Sequence, residues 1–342
     1  MKIAYIIPKL VNKGPIIVVQ ELVQQMITHG HECYVYFFDE GQEISPPCKT
    51  QKISFFESID FNKFDIIHTH GLRPDLYVFI HKPHKCKSKC ITTLHNYIIP
   101  DLSYQYNKLI AYSIGNIWIS ILRRHDKVVT LSKDAIEYYS KRIPLNKLTF
   151  VYNTRSISTN INLPEEDISR LLTFKDKDTL IGVNAALTAR KGIDQVIKAL
   201  KFLPKYKLVI IGNGKAKEDL ESLAKIEKVD NRVLFLGYKK DAYRFLPFYD
   251  IFALPSRSEG FGLTLIESAI FKKNVICSNI EIFKELAPKE VYFFQLENIE
   301  SLVDCITQIS KTNLGEKLYE RYLSTFSPNI FYQKYHSIYI SL

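Results

Sequence analysis

The feature that most restricts the fold of this chain is an alternation. Short runs of β-branched and aromatic residues recur, each followed by a helix-length amphipathic stretch, and such alternation marks parallel strands joined through helices. The expected strands of the first half are KIAYIIP from Lys2, CYVYFF from Cys33, FDIIHTH from Phe64, CITTLH from Cys90, KVVTLS from Lys127 and KLTFVYN from Lys147. After Asn153 the pattern lapses. Thr154 to Asp178 is polar and charged, with Pro164 ahead of an acidic cluster, and reads as a linker with a short helix. Strands resume as TLIGVNAAL from Thr179, KLVIIG from Lys207, VLFLG from Val233, DIFALP from Asp250 and NVICS from Asn274. The pattern predicts an α/β chain of two doubly wound, Rossmann-like domains, 1–155 and 179–327, joined by 156–178. At 342 residues, each half has enough chain to bury its own core.

Composition narrows the class further. A charged fraction of 24% with 46% hydrophobic residues excludes disordered and collagenous chains. No run approaches the roughly 18 apolar residues of a membrane span. The opening MKIAYIIPKLVNKG is cut by Pro8 and Lys9, so it reads as a buried first strand of a cytoplasmic protein and not as a signal peptide. Six scattered cysteines form no disulfide framework, which fits a reducing compartment. The net charge of +10 is uneven: residues 1–155 hold 20 Lys+Arg against 13 Asp+Glu. That excess is read either as an anionic-membrane surface or as plain solubilising charge. No motif supports nucleic acid.

The most informative stretch is SRSEGFGLTLIESAI, from Ser256 to Ile270, after the strand DIFALP. Gly260 and Gly262 allow a sharp turn at the strand's end, and Leu263 onward has helical apolar spacing. Free backbone N–H groups there make a phosphate site. Glu259 and Glu267, with seven residues between them, are spaced to face one ligand from the two ends of the loop. A second reading stands beside this one, because Thr264 and Glu267 have the S/T-x-x-E spacing of a helix capping box.

At these residues the chain resembles the retaining glycosyltransferases of the GT-B fold, in particular glycosyltransferase family 4. MKIAYIIP with Gly14, HGHECYVY, FDIIHTHG, ITTLHN, KVVTLSKDAIEYY, TARKGID, LVIIGNGKAKEDLE, VLFLGY and RSEGFGLTLIESA follow in the family's order and spacing. In TLHNY, a long helix and then DKVVTLS, the chain looks like members from bacterial surface-polysaccharide clusters. The resemblance implies two Rossmann-like domains facing a crevice, the first binding acceptor and the second nucleotide-sugar, with the final helix, 328–342, returning to the first. It implies that Glu259 binds hydroxyls of the donor sugar and Glu267 those of the nucleotide ribose. It further implies that the loop Gly260–Phe261–Gly262 and the amides of Gly262, Leu263 and Thr264 hold the diphosphate. Arg190 and Lys191 would neutralise it as it leaves. Ala186 stands where many members carry arginine, which passes phosphate duty to Arg190. By the same resemblance His95 contacts the transferred sugar, Gly14 lets the first loop approach the ligand, and Tyr238 lies near the base.

Weaker signals stand beside these. Gly212-Asn213-Gly214 lacks the third glycine of a dinucleotide fingerprint, which argues against NAD. His81, His84, Cys86 and Cys90 have zinc-compatible spacing in a lysine-rich stretch. Asp176-Lys177-Asp178 spells D-x-D but sits in the linker, where turn chemistry explains it. With Arg and Lys available for the diphosphate, no metal or other cofactor is expected. Ser103 to Arg124 reads as one helix whose apolar residues pack in the core; the alternative is that Tyr97 to Tyr112 forms an aromatic lip at a bilayer surface.

The resulting expectation is transfer of a hexose or N-acetylhexosamine, with retention, from a nucleotide-sugar to a lipid-linked oligosaccharide. A UDP-sugar is favoured over a GDP-sugar. The setting would be the inner face of the cytoplasmic membrane during surface-polysaccharide synthesis. The rivals are a non-hydrolysing nucleotide-sugar epimerase and a non-catalytic nucleotide-sugar-binding module.

Overall fold

The computed structural model describes residues 1–104, 106–309 and 313–342. Its contacts divide the chain into two compact units, Met1–Ser156 with Thr325–Leu342, and Ile157–Ser324. The first holds seven strands, β1 (Lys2–Leu10), β2 (Glu32–Gln42), β3 (Lys49–Lys52), β4 (Ile66–Thr69), β5 (Lys89–Thr93), β6 (Lys127–Thr130) and β7 (Leu148–Phe150). All are parallel, in the order β3-β2-β1-β4-β5-β6-β7. Helices α1 (Gly14–Thr28), α2 (Leu72–His81), α3 (Ile98–Ser103), α4 (Lys108–Ile121) and α5 (Lys133–Ser140) connect them. Ile3, Ala4, Tyr5, Ile6 and Ile7 of β1 are all fully buried, the unbroken burial of a parallel strand covered on both faces.

The second unit opens with α6 (Glu165–Lys175), inside the stretch read as a linker. It is no loose connection: Lys239 Nζ holds both oxygens of Asp167, at 2.7 and 2.8 Å, and Leu171 is buried. Then follow β8 (Thr179–Asn184), α7 (Ile193–Ala199), β9 (Tyr206–Ile211), α8 (Lys217–Ile226), β10 (Val233–Gly237), β11 (Ile251–Leu254), α9 (Leu263–Ile270), β12 (Val275–Ser278), α10 (Glu281–Leu286), β13 (Tyr292–Phe294), α11 (Ile299–Ile309) and α12 (Gly315–Arg321). The parallel sheet runs β10-β9-β8-β11-β12-β13. Ile181, Val183, Leu208 and Ile210 meet Val196, Ile197 and Ile306 from the helices in its core.

The last helix, α13 (Pro328–Ile340), packs in the first unit. Its buried tyrosines tie it to the sheet: Tyr339 Oη lies 2.7 Å from His68 Nδ1, and Tyr335 Oη 3.0 Å from Thr93 Oγ1. In both sheets the chain runs outward over three strands, then crosses back beside the first. The crossing falls between β1 and β4 in one sheet and between β8 and β11 in the other. At such a reversal the loops leaving the carboxyl ends of two neighbouring strands diverge and open a space for ligand.

Candidate active site

In the second unit, the loops after β8 and β11 carry the charged residues of interest, and backbone contacts stitch them together. Arg257 N–H donates to the carbonyl of Arg190 (2.8 Å), and its guanidinium donates to Ala189 O (2.6 Å) and, in a fork, to both oxygens of Asp194 (2.8 and 2.9 Å). Gly192 has φ 63°, and a Cβ there would lie 2.0 Å from Pro255 O. Glycine is therefore what lets the two loops touch. The buried Gln195 amide closes the seam by donating to Pro255 O at 2.9 Å.

This frame sets Arg190 and Lys191 beside Glu259. The Glu259 carboxylate, only 8% exposed, accepts from Lys191 Nζ at 2.5 Å and from Ser256 Oγ at 2.7 Å. Arg190 Nη1 stands 3.7 Å from its other oxygen and donates to Ser258 O at 2.9 Å. Burial alone would raise the Glu259 pKa, but Lys191, Arg190 and the Ser256 hydroxyl outweigh it and hold the carboxyl below its usual range. Two cations against one carboxylate leave a net positive charge.

Just beyond, Gly262 caps α9 in a left-handed conformation, φ 89°, with buried Phe283 placed 2.7 Å from where a Cβ would sit. Among the described residues, the N–H groups of Gly262, Leu263 and Thr264 have no hydrogen-bond acceptor. Three open donors at a helix start beside that excess positive charge suit an anion. The capping-box reading fails here. Gly262, not Thr264, is the cap, no side chain caps the helix, and Thr264 and Glu267 are already its second and fifth residues. Glu267 is 9% exposed. Gly260 and buried Phe261 complete the turn, and Tyr238 is exposed just past β10, the edge strand.

In the first unit, His95 lies two residues past β5, half-buried, with Nε2 2.9 Å from Nδ1 of His70, the residue after β4. Burial pushes the His95 pKa down to about 3 and His70 well below the ordinary value. Gly14 is the first residue of α1 and is not among the positive-φ glycines. The sequence reading overlooked His70, Ser256 and Arg257. The signal for His70 was present, because it follows a buried strand and precedes Gly71 much as His95 follows CITTL.

Other signals resolve into architecture. His81 Nε2 donates to Phe55 O and Cys90 is buried, and among the described residues no group of three or more His, Cys, Asp or Glu side chains is placed to hold a metal. Asp176 terminates α6, and Asp178 pairs with Lys207 at 3.1 Å. The Gly212–Gly214 loop bonds to the β8 loop, with Leu187 N donating to Asn213 O at 3.0 Å. The single helix read over Ser103 to Arg124 is in fact interrupted, since α4 begins at Lys108 with Asn107 Oδ1 accepting from Ile110 N. Its apolar residues do not all reach the core: Tyr104, Tyr106, Leu109, Ile110, Tyr112 and Ile117 are exposed, Leu109 by 78%. Among the described residues, no helix is long and apolar enough to cross a membrane.

Comparison with known proteins decides the family. Residues 14–157 match the model described as Glycosyltransferase Family 4, and residues 164–323 that of Glycosyl transferases group 1. The chain is 35% identical over 350 aligned residues to the O-antigen biosynthesis glycosyltransferase WclY of Escherichia coli, covering 100% of this chain and 99% of that one. The chain belongs to glycosyltransferase family 4. This glycosyltransferase is also 25% identical over 263 residues to N-acetylgalactosamine-N,N'-diacetylbacillosaminyl-diphospho-undecaprenol 4-alpha-N-acetylgalactosaminyltransferase of Campylobacter jejuni, covering 72% of this chain and 68% of that one. Anabaena Alr3699/HepE in complex with UDP-glucose matches its fold with a TM-score of 0.84 over 100% of both chains at 17% identity. The fold is GT-B. Family membership sets aside the epimerase and the non-catalytic module.

Proposed function

We propose that this glycosyltransferase moves a hexose or N-acetylhexosamine, with retention at the anomeric carbon, from a nucleotide-sugar to a hydroxyl of a lipid-linked oligosaccharide in surface-polysaccharide synthesis. One observation carries the reading: the Arg190–Lys191–Glu259 cluster beside the three open N–H groups of α9. A diphosphate fits that combination of fixed donors and excess positive charge. Glu259 binds hydroxyls of the donor sugar, and Glu267 those of the ribose. Lys191 spends one of its three donors on Glu259 and keeps two for the phosphate. His95 contacts the sugar, Gly14 gives the ligand room and Tyr238 lies by the base.

In the reaction the bond from the anomeric carbon to the β-phosphate oxygen breaks as the acceptor oxygen bonds to the same face of that carbon. The departing oxygen gains negative charge, which Arg190, Lys191 and the α9 amides stabilise where it forms. That oxygen lies next to the attacking hydroxyl and takes its proton. No metal is needed for this charge balance.

A UDP-sugar is the favoured donor, in keeping with the UDP-glucose complex of the Anabaena protein. The lipid-linked acceptor draws support from the diphospho-undecaprenol named for the Campylobacter relative, and surface polysaccharide from the O-antigen role of WclY. The exposed apolar residues around α4 bear on the same point. From Leu102 to Arg124 there is no acidic residue, while Lys108, Arg123 and Arg124 add positive charge, the make-up of a peripheral contact with an anionic membrane.

A panel of UDP- and GDP-sugars tests the reading, with polyprenyl-diphosphate oligosaccharide as acceptor and chelator present. The expected result is acceptor-dependent release of UDP and an α-linked product from an α-linked donor. An inverted product, or activity abolished by chelator and restored by magnesium, contradicts it.

A further inference from the structure

The histidine beside His95 is itself almost fully buried, at 1% exposure, and among the described residues its ring makes a single hydrogen bond. His70 Nδ1 lies 2.9 Å from His95 Nε2, and His70 Nε2 is buried with no partner. The neighbouring ring cannot supply one. His68, 4.3 Å away between centroids, is engaged at both nitrogens, by Tyr339 Oη at 2.7 Å and Thr93 Oγ1 at 2.8 Å. Burial disfavours the charged form of both His70 and His95, so the pair is neutral at pH 7 and one proton lies in the contact.

That proton has two placements. If His95 Nε2–H donates to His70, the His70 proton must sit on Nε2, an N–H sealed from water without an acceptor. If His70 Nδ1–H donates to His95, the buried Nε2 is a bare lone pair, and the His95 proton moves to Nδ1. Folded proteins leave buried N–H groups orphaned less readily than buried acceptors. We propose that His70 is a positioning residue that donates from Nδ1 to His95 Nε2, fixing the His95 proton on Nδ1, so that His95 meets the donor sugar as a hydrogen-bond donor. The ring partner that fixes which nitrogen of a histidine carries its proton also fixes what the other nitrogen can do. The sugar contact rests on the role proposed above for His95, whereas the tautomer does not.

The decisive measurement is made on the unaltered chain. Selective 15N labelling of histidine, with long-range 1H–15N correlation, reads which nitrogen of each ring is protonated, and His70→Asn and His95→Ala identify the two signals. We expect Nδ1–H on both rings. A proton on Nε2 of either ring overturns the proposal. Transfer rates supply the second arm. His70→Phe, which keeps an aromatic ring without the donor, should lower kcat by about 10- to 100-fold, with nucleoside diphosphate affinity unchanged. His70→Asn, whose amide can stand in for Nδ1–H, should recover most of that loss. Equal loss in both variants, or none in His70→Phe, rejects the positioning role. If His95→Ala transfers at the wild-type rate, the sugar contact of His95 fails by itself while the tautomer measurement still stands.

Discussion

Each sheet brings polar residues to its carboxyl edge, the second sheet at its crossing point and the first sheet one strand along from its own, yet the two edges carry opposite chemistry. Beside β8 and β11 the groups are charged, with Glu259, Lys191 and Arg190 in contact and Glu259 held ionised. Beside β4 and β5 they are neutral rings, His68, His70 and His95, which burial keeps unprotonated. A diphosphate needs fixed positive charge, whereas a sugar or an acceptor hydroxyl is met best by neutral groups whose single protons are placed. Under the proposed function, the same architecture serves two kinds of recognition, decided by which side chains end the strands.

The strongest way to break this contrast is to remove the charge from one edge. Arg190→Ala with Lys191→Ala should lower turnover by at least about 10²- to 10³-fold, with a smaller loss in nucleoside diphosphate affinity; steady-state rates and calorimetric titration give both. Lys191→Ala also strands a buried carboxylate, so its melting temperature should fall, and adding Glu259→Gln should restore stability without restoring turnover.

Acid should separate the units next. In the unfolded chain histidine titrates near 6.5, but burial holds the native His68, His70, His95 and His125 below that. Below about pH 6.5 the unfolded state therefore binds protons that the native state refuses, and stability falls with pH. For His125, whose native pKa is about 3, the slope is about 1.4 kcal/mol per pH unit. Buried Asp75, raised to about 6, and Glu21, raised by burial, act in the opposite sense as pH drops through their native values, but they are two groups against four. Glu259 carries the opposite shift, and its contribution is lost only below the usual carboxylate range. Trp118, the one tryptophan, lies in the first unit and donates to Asp75 Oδ2 at 2.7 Å. Its fluorescence should show a urea midpoint falling from pH 7 to pH 5. A constant or rising midpoint removes the neutral-histidine account.

Smaller effects are expected at the α9 turn. Gly262→Ala forces a side chain into the left-handed region and onto Phe283, and should cost about 1–2 kcal/mol of stability and about tenfold in nucleoside diphosphate affinity. Glu267→Gln should weaken that affinity by about 3- to 10-fold.

The two sheets were legible in the sequence because their central strands are buried on both faces and read as unbroken apolar runs. One outer strand of each sheet was not. KTQK of β3 is a polar, largely exposed edge, and β13 is three residues long, so neither carries the burial that reveals the rest. Of the charged site, Glu259 and the glycine turn stood out because carboxylates and glycines after a buried strand are conspicuous. The partners that hold them are ordinary residues: Ser256 bonds Glu259 within one loop, and the roles of Arg257 and Gln195 come from loops meeting across 60 or more positions. His70 carried a cue, its place after a buried strand, but not its partner. A histidine at a strand end is unremarkable until the register of β4 against β5 sets it beside His95.

The most direct test of the charged edge is Glu259→Gln, which keeps the size of the side chain and removes its charge. Transfer rate, nucleoside diphosphate affinity and melting temperature should be measured together on the variant and the unaltered chain. Because Glu259 is assigned to the sugar, transfer should fall by about one to three orders of magnitude while affinity for the sugar-free nucleotide stays within about twofold. Transfer at the wild-type rate, with only the melting temperature lowered, would contradict the account and leave Glu259 as a structural partner of Lys191.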